Sequence, residues 1–131
     1  MPIEASAFQL PSGARVVRAD CIGTISKEDA DGWLRQLAPG GPFHGHSILA
    51  DTLRIGHVDP EARNAFANSR KTTQSDGWIA VIVTNPVIRV TTNFVMRITR
   101  NQKQRLFQTE GEAVAWLDER VREGSAHVPA P

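Results

Sequence analysis

The sequence predicts an α/β fold: a single-domain mixed sheet of about five strands, with an N-terminal hairpin and about four helices packed on it. The first observation is that, after an opening hairpin, short apolar runs alternate with segments of helical period. The second is that residues 78–83 are apolar on both faces, as expected of a strand covered by helices. The third is a helix cap after each apolar run. Such strand–helix–strand steps favour right-handed parallel crossovers.

Length and composition limit the class of protein. The 131 residues suffice for one domain with a core that needs no disulfide or metal. We expect this core over about residues 8–121 and a flexible tail over 124–131. The 15 basic and 14 acidic side chains nearly cancel, which argues against a nucleic-acid binder held by overall charge. One cysteine, Cys21, and the absence of a signal peptide or long apolar span predict a cytoplasmic protein.

The first third of the chain predicts a hairpin and a helix. Residues 8–10 form a short strand, residues 11–13 a turn, and residues 15–25 a longer strand whose odd positions share one face. Ser26 is the expected N-cap of the first helix, and the prolines and glycines at 39–42 end it. The apolar stripe of this helix has the spacing i, i+3, i+4, i+7 and consists of Ala30, Trp33, Leu34 and Leu37.

The next elements are a short strand and a second helix. Residues 47–50 predict a central strand that runs into Asp51 and Thr52, and a loop follows. Asp59, Pro60 and Glu61 then combine a cap, a first-position proline and a first-turn acid, which together predict a helix. Its apolar side consists of Ala62, Ala65 and Phe66.

The third helix, which begins at Asn85 and Pro86, lies in the most basic part of the chain. Residues 61–108 carry eight basic and two acidic side chains. At about 100° per residue, one stripe of this helix is polar and consists of Arg89, Asn93, Arg97 and Arg100. A second stripe is apolar, is expected to face the sheet, and consists of Val87, Val90, Phe94 and Ile98. The polar stripe predicts a partner-binding or anion-binding surface, and the alternative is a solvated helix face.

The chain closes with a strand and a capped helix. Residues 105–107 predict a last short strand, and Thr109 with Glu112 forms a capping box for the final helix. Gly124 is expected to stop that helix. The apolar stripe of the helix consists of Ala113, Val114, Leu117 and Val121.

This order of elements, read with particular segments, resembles the SpoIIAA-like group of the STAS (anti-sigma-factor antagonist) fold, often labelled STAS/CRAL-TRIO-like in bacteria. The matching segments are IGTISKED at 22–29, ILAD at 48–51, DPEAR at 59–63, IAV at 79–81, NF at 93–94, RLF at 105–107 and EAVAWL at 112–117. The resemblance covers about residues 8–121. It implies a non-catalytic regulatory domain whose partners are other proteins, and some related folds hold apolar ligands.

The resemblance also implies a switch. In better-studied STAS antagonists a serine or threonine after the third strand is phosphorylated, and the nearest position here is Thr52, which follows Asp51. The antagonist pattern runs directly from this turn into a helix, whereas this chain inserts residues 53–58 before the helix cap. A phosphate on Thr52 would add about −1.5 to −2 charges. The alternative is an ordinary turn residue.

Other constellations point more weakly to chemistry. His44 and His46 offer two imidazoles, but the spacing does not supply the three or four ligands of a zinc site, and we expect no metal or cofactor. No nucleophile has a recognisable partner motif, so the sequence does not predict an enzyme. Trp33, Trp78 and Trp116 follow apolar patterns, which favours core packing over a ligand pocket.

The sequence therefore favours a non-catalytic module that binds a protein partner, alone or as a homodimer. The third helix would supply the contact, and charge reversal at Arg97 and Arg100 should weaken it. The alternative is a carrier or sensor of a small apolar or anionic ligand, held between helices and sheet near Trp78 and the third helix. We expect no nucleic-acid partner and no peripheral membrane contact, because the cationic margin of the helix lacks an aromatic anchor.

Overall fold

A computed structural model describes residues 2–68, 77–99 and 103–126, with side chains at all of these except 94–99 and 124–126. Five strands and four helices alternate through the described residues. Their order is β1 (Ile3–Gln9), β2 (Arg15–Ile25), α1 (Lys27–Leu37), β3 (Ile48–Val58), α2 (Pro60–Ala67), β4 (Ile79–Ile82), α3 (Pro86–Thr99), β5 (Gln104–Phe107) and α4 (Glu110–Ala126). The predicted α/β class, with an N-terminal hairpin and about five strands, is confirmed.

One sheet has the strand order β1-β2-β3-β4-β5. The hairpin partners β1 and β2 are antiparallel, and the remaining pairs are parallel because a helix lies in each connection. β3 is longer than β4. It pairs with β4 only from Ile48 to Asp51, while its second half continues beside β2 as far as Val58.

Helices cover both faces of the sheet. On one face, α4 packs Ala113 and Leu117 against Leu49 of β3 and Ile82 of β4. The other face carries α1, α2 and α3, in separate clusters around Leu37, Ala62 and Ile88. Burial on both faces explains why the interior strand β4 is apolar throughout.

Local capping signals begin the helices where the sequence predicts them. The Ser26 hydroxyl accepts a hydrogen bond from the Asp29 amide, and the Asp29 carboxylate accepts one from the Ser26 amide, which completes a capping box. At α4 the Thr109 hydroxyl accepts a hydrogen bond from the Glu112 amide and donates one to the Glu112 carboxylate. These two helices therefore begin at their predicted caps, whereas α2 begins after Asp59 without a side-chain capping hydrogen bond.

Three predicted boundaries are wrong. β1 begins at Ile3 rather than at residue 8, because it pairs with β2 over seven residues although its middle is exposed on both faces. β3 extends to Val58 rather than ending at residue 50, because residues 53–58, whose composition is typical of a loop, pair with β2. α4 continues through Gly124 to Ala126, since one glycine costs a helix only about 1 kcal/mol. Residues 127–131 of the predicted tail lie outside the described residues.

Two tryptophans complete the core under α4. Trp78 and Trp116 meet edge to face with ring centroids 5.9 Å apart, and Phe107 lies 5.6 Å from Trp116. Trp33 packs instead against Phe43 at the end of α1, with 6.0 Å between centroids. All three indoles therefore belong to the hydrophobic clusters, in agreement with the core-packing interpretation.

Candidate functional site

The candidate site is the outward side of α3, where the chain leaves the carboxyl end of β4. Asn85 begins the helix because its side-chain oxygen accepts the amide hydrogens of Val87, at 2.9 Å, and of Ile88, at 3.4 Å. Pro86 follows at the first helical position, where its missing amide hydrogen is no loss. The Asn85 side chain therefore fixes the geometry of the first turn of α3.

The helix turns a different side to the sheet from the one predicted. Ile88 is 3% exposed and packs against Val81 and Val83, whereas Val87 is 70% exposed and Val90 is 68% exposed. The expectation that Val87 and Val90 face the sheet is wrong. Phe94 and Ile98, the other members of that predicted stripe, lie outside the residues whose side chains are described.

The sequence contains a reason for this error. Apolar residues occur on more than one side of α3, so the pattern allows two buried sides about 100° apart. The side in use has Ile88 at its centre and the half-buried Thr92 next to it. Thr92 meets its hydroxyl's hydrogen-bonding need within the helix by donating to the Ile88 carbonyl at 2.8 Å. Thr92 can therefore lie on the side of α3 that faces the sheet, although the hydrophobic pattern predicts that the valine side faces it.

The predicted polar stripe is described only in its first half. Arg89 is half-buried and Asn93 is exposed, one turn apart on α3. Within the described residues, Arg89 forms no ion pair. The side chain of Arg97 and the whole of Arg100 lie outside the described residues. The described part of α3 therefore carries two polar side chains, Arg89 and Asn93, and two exposed apolar side chains, Val87 and Val90.

The predicted switch position, Thr52, lies inside β3. Its side chain is 8% exposed, and its hydroxyl donates to the Ile82 carbonyl at 2.7 Å. Ile82 is the last residue of β4, four residues before α3 begins. The neighbouring Leu53 is 49% exposed, just past the last β3–β4 pair. Thr52 therefore ties β3 to the end of the strand that leads into α3.

Asp51 belongs to a cluster that sequence reasoning missed. One Asp51 oxygen lies 2.8 Å from the Arg18 guanidinium, and the other accepts the Leu53 amide hydrogen at 2.9 Å. Arg18 also binds Asp20, at 3.1 Å, and Glu110 at the start of α4. Burial alone would lower the pKa of Arg18, but its hydrogen bonds to Glu110 and Asp20 outweigh burial and raise it.

A signal for this cluster was present in the sequence. The alternation in β2 puts Arg18 and Asp20 on one face, and Asp20 pairs across the sheet with Asp51. The contribution of Glu110 depends on a contact 92 residues away along the chain. With three carboxylates on one cation, the cluster links β2, β3 and α4, so Asp51 has a structural role here.

His44 and His46 lie in the loop before β3. Within the described residues, no group of three or more His, Cys, Asp or Glu side chains could hold a metal ion. His44 and His46 instead line a pocket of about 290 Å³. A second pocket, of about 440 Å³, lies between α1 and α2. Neither is lined by α3, so the pocket predicted near Trp78 and the third helix is not one of these two.

Comparison with solved structures identifies the fold. A protein from the DUF3478 family of Shewanella loihica PV-4, described as having a SpoIIAA-like fold, matches with a TM-score of 0.63 at 14% identity, over 88% of this chain and 93% of that one. The anti-sigma factor antagonist SpoIIAA in its unphosphorylated form matches with a TM-score of 0.58 at 15% identity, over 92% and 97%. The protein thus has the SpoIIAA-like, or STAS, fold, as the sequence resemblance implies.

The family is shown by sequence. Residues 44–121 match the family described as a domain of unknown function, DUF7793, and the chain belongs to that family. No curated protein sequence matches the chain. In the described ranges, no helix is both long enough and apolar enough to span a membrane.

Proposed function

We propose that this domain is a non-catalytic regulatory module that binds a protein partner through α3. One observation carries the proposal: Val87 and Val90, in successive turns of one helix, are 70% and 68% exposed. The only other large hydrophobic side chain exposed to a comparable degree within the described residues is Leu53, which follows the last β3–β4 pair. A partner that covered these side chains would gain about 1.5–3 kcal/mol for each one fully buried.

The charge beside these valines defines the class of partner. Arg89 and Asn93 lie on the same helix, and Arg89 has no acidic partner among the described residues. The helical period of the sequence predicts that Arg97 and Arg100 continue this margin. An acidic protein surface complements it, and such complementarity speeds encounter and selects partners more than it adds affinity. Binding should therefore weaken as salt concentration rises.

We propose in addition that Thr52 is the switch of this surface. The Thr52 hydroxyl is buried against the Ile82 carbonyl, so a phosphate there requires β3 and β4 to part locally. The phosphate brings about −1.5 to −2 charges into a buried position, which is strongly unfavourable. Because α3 begins four residues after Ile82, a displacement of the end of β4 reaches the valines directly.

The test is quantitative capture of partners from the native cell extract. Immobilised wild-type protein is compared with the double variant Val87→Asp, Val90→Asp, and bound proteins are quantified by mass spectrometry. The matched control is Ala115→Asp, which adds a carboxylate at an exposed position of α4 on the opposite face of the sheet. We expect a partner that is retained by the control and reduced at least about tenfold by the double variant, a loss of about 1.4 kcal/mol.

Two further variants examine the charge and the switch. Arg89→Glu should reduce capture of the same partner, and the reduction should shrink at high salt. Thr52→Asp should alter capture whereas Thr52→Val, which removes the hydroxyl without adding charge, should not. Equal capture by wild-type protein and the double valine variant contradicts the α3 surface. Equal capture by the two Thr52 variants contradicts the switch alone.

A further inference from the structure

A pocket at the amino-terminal ends of β2 and β3 lies at the end of the sheet opposite the start of α3. Its volume is about 290 Å³, at the small end of the range for ligand pockets. The walls come from the start of β2, the loop before β3 and the last third of α4. The lining residues are Arg15, Val16, His44, Gly45, His46, Ser47 and Val121.

The pocket is basic. Among the described residues, Arg15 lines it and no carboxylate does. In the described part of the chain, the Arg15 side chain forms no ion pair or hydrogen bond. Arg18, three residues later in the same strand, is bound by three carboxylates. Arg15 thus offers a planar set of donors that suits a carboxylate or phosphate group in a bidentate arrangement.

The two imidazoles contribute acceptors. The Nδ1 atom of His44 lies 3.0 Å from the Leu37 carbonyl, and Nδ1 of His46 lies 3.3 Å from the His44 carbonyl. A carbonyl only accepts, so each Nδ1 carries the hydrogen, and in the neutral ring Nε2 is an acceptor. Neither Nε2 atom has a hydrogen-bond partner among the described residues. The pocket therefore combines a cationic donor with two acceptors.

The loop that carries the imidazoles is held in place. Gly45 has a φ of 79°, a left-handed conformation that favours glycine. Ser47 accepts the Trp78 amide hydrogen at 3.1 Å, and a Cβ atom at Gly77 would collide with the His46 carbonyl. The Phe43 ring meets the His46 ring edge to face, with 6.4 Å between centroids. These contacts order the loop before any ligand binds, which lowers the entropy lost on binding.

We propose that this pocket binds a small hydroxycarboxylate. The carboxylate lies on the Arg15 guanidinium, the hydroxyl groups donate to Nε2 of His44 and His46, and Val16 and Val121 contact the carbon chain. The site is independent of the surface on α3. A simple carboxylate would bind Arg15 but could not donate hydrogen bonds to the two imidazoles. A simple polyol could donate to the imidazoles but would not pair with Arg15.

Three small probes separate these contributions, because glycerate carries both the carboxylate and the hydroxyl groups, acetate only the carboxylate and glycerol only the hydroxyl groups. Glycerate, acetate and glycerol are titrated at pH 8 and constant ionic strength into uniformly 15N-labelled protein, and amide shifts are followed by NMR. We expect saturable shifts confined to residues 44–47 and the start of β2, with glycerate at least about tenfold tighter than acetate and no saturation by glycerol. Absence of saturable local shifts with glycerate overturns the proposal, and so does equal affinity for glycerate and acetate.

Variants identify the contacts. Arg15→Gln changes an exposed side chain, so the fold should be retained, and the affinity for glycerate should fall at least about tenfold. The matched control is Arg122→Gln, which removes an exposed arginine of α4 that does not line the pocket. His46→Phe should abolish the preference for glycerate over acetate. Equal losses for the two arginine variants would show a response to overall charge and would overturn the assignment.

Discussion

Replacing Ile88 with alanine tests the orientation of α3, on which the proposed partner surface depends. The Ile88 side chain is 3% exposed and packs against Val81 and Val83. The substitution removes three carbons, worth about 2.4 kcal/mol at about 0.8 kcal/mol each. A residual cavity adds to this, so we expect the free energy of unfolding to fall by about 3 kcal/mol, within the range of about 2–5 kcal/mol for such changes.

The matched changes are Val87→Ala and Val90→Ala on the same helix. Both side chains are largely exposed, so each variant should lie within about 0.5 kcal/mol of wild type. The measurement is urea unfolding followed by tryptophan fluorescence, since Trp78 and Trp116 meet in the core. If Val90→Ala lost more stability than Ile88→Ala, α3 would turn its other side to the sheet and the valines would not be available to a partner.

Two further predictions concern Cys21 and the cap of α1. Burial raises the pKa of the Cys21 thiol to about 12, and Asp20 and Asp51 add to the shift. Alkylation of Cys21 at pH 8 should therefore be roughly a thousandfold slower than alkylation of a free thiol. Alkylation of the folded protein at the rate of a free thiol would contradict this prediction. Ser26→Ala should lower the free energy of unfolding by about 1 kcal/mol at pH 7. Hydrogen bonds from Ser26 lower the pKa of Asp29, so the contribution of the pair is present above the ordinary carboxyl pKa and is lost as pH falls through the folded value. Urea unfolding should show a smaller difference in the free energy of unfolding between wild type and Ser26→Ala at pH 3 than at pH 7. An equal difference at the two pH values would refute this prediction.

Local chemistry made most of the fold predictable from the sequence. Helix starts at Ser26 and Thr109 follow from side chains within three residues of the cap, and these are confirmed. The alternation of strands and helices then restricts the topology to parallel crossovers after the hairpin. The SpoIIAA-like fold could accordingly be predicted from the order of the elements and the segments that resemble it.

Long-range contacts decided what the sequence did not predict. The second half of β3 is a strand because β2 lies beside it, although Arg54 and Gly56 give it the composition of a loop. The sequence allowed either the side of α3 with Val87 and Val90 or the side with Ile88 to be buried. Ile88 packs against β4, so its side is the buried one. Arg18 meets Glu110 only once α4 has docked on the sheet. The arrangement of the candidate site depended on these contacts.

The second half of β3 also bears on the solubility of the protein. Beyond Asp51, β3 has no strand partner on the β4 side within the described residues, so it presents an open edge to which another chain could add. Two features oppose such addition. Arg54 and His57 are exposed on this segment, and the irregular register between β2 and β3 twists the pair away from a flat edge. The polar composition of this strand, which is typical of a loop, thus disfavours edge-to-edge aggregation.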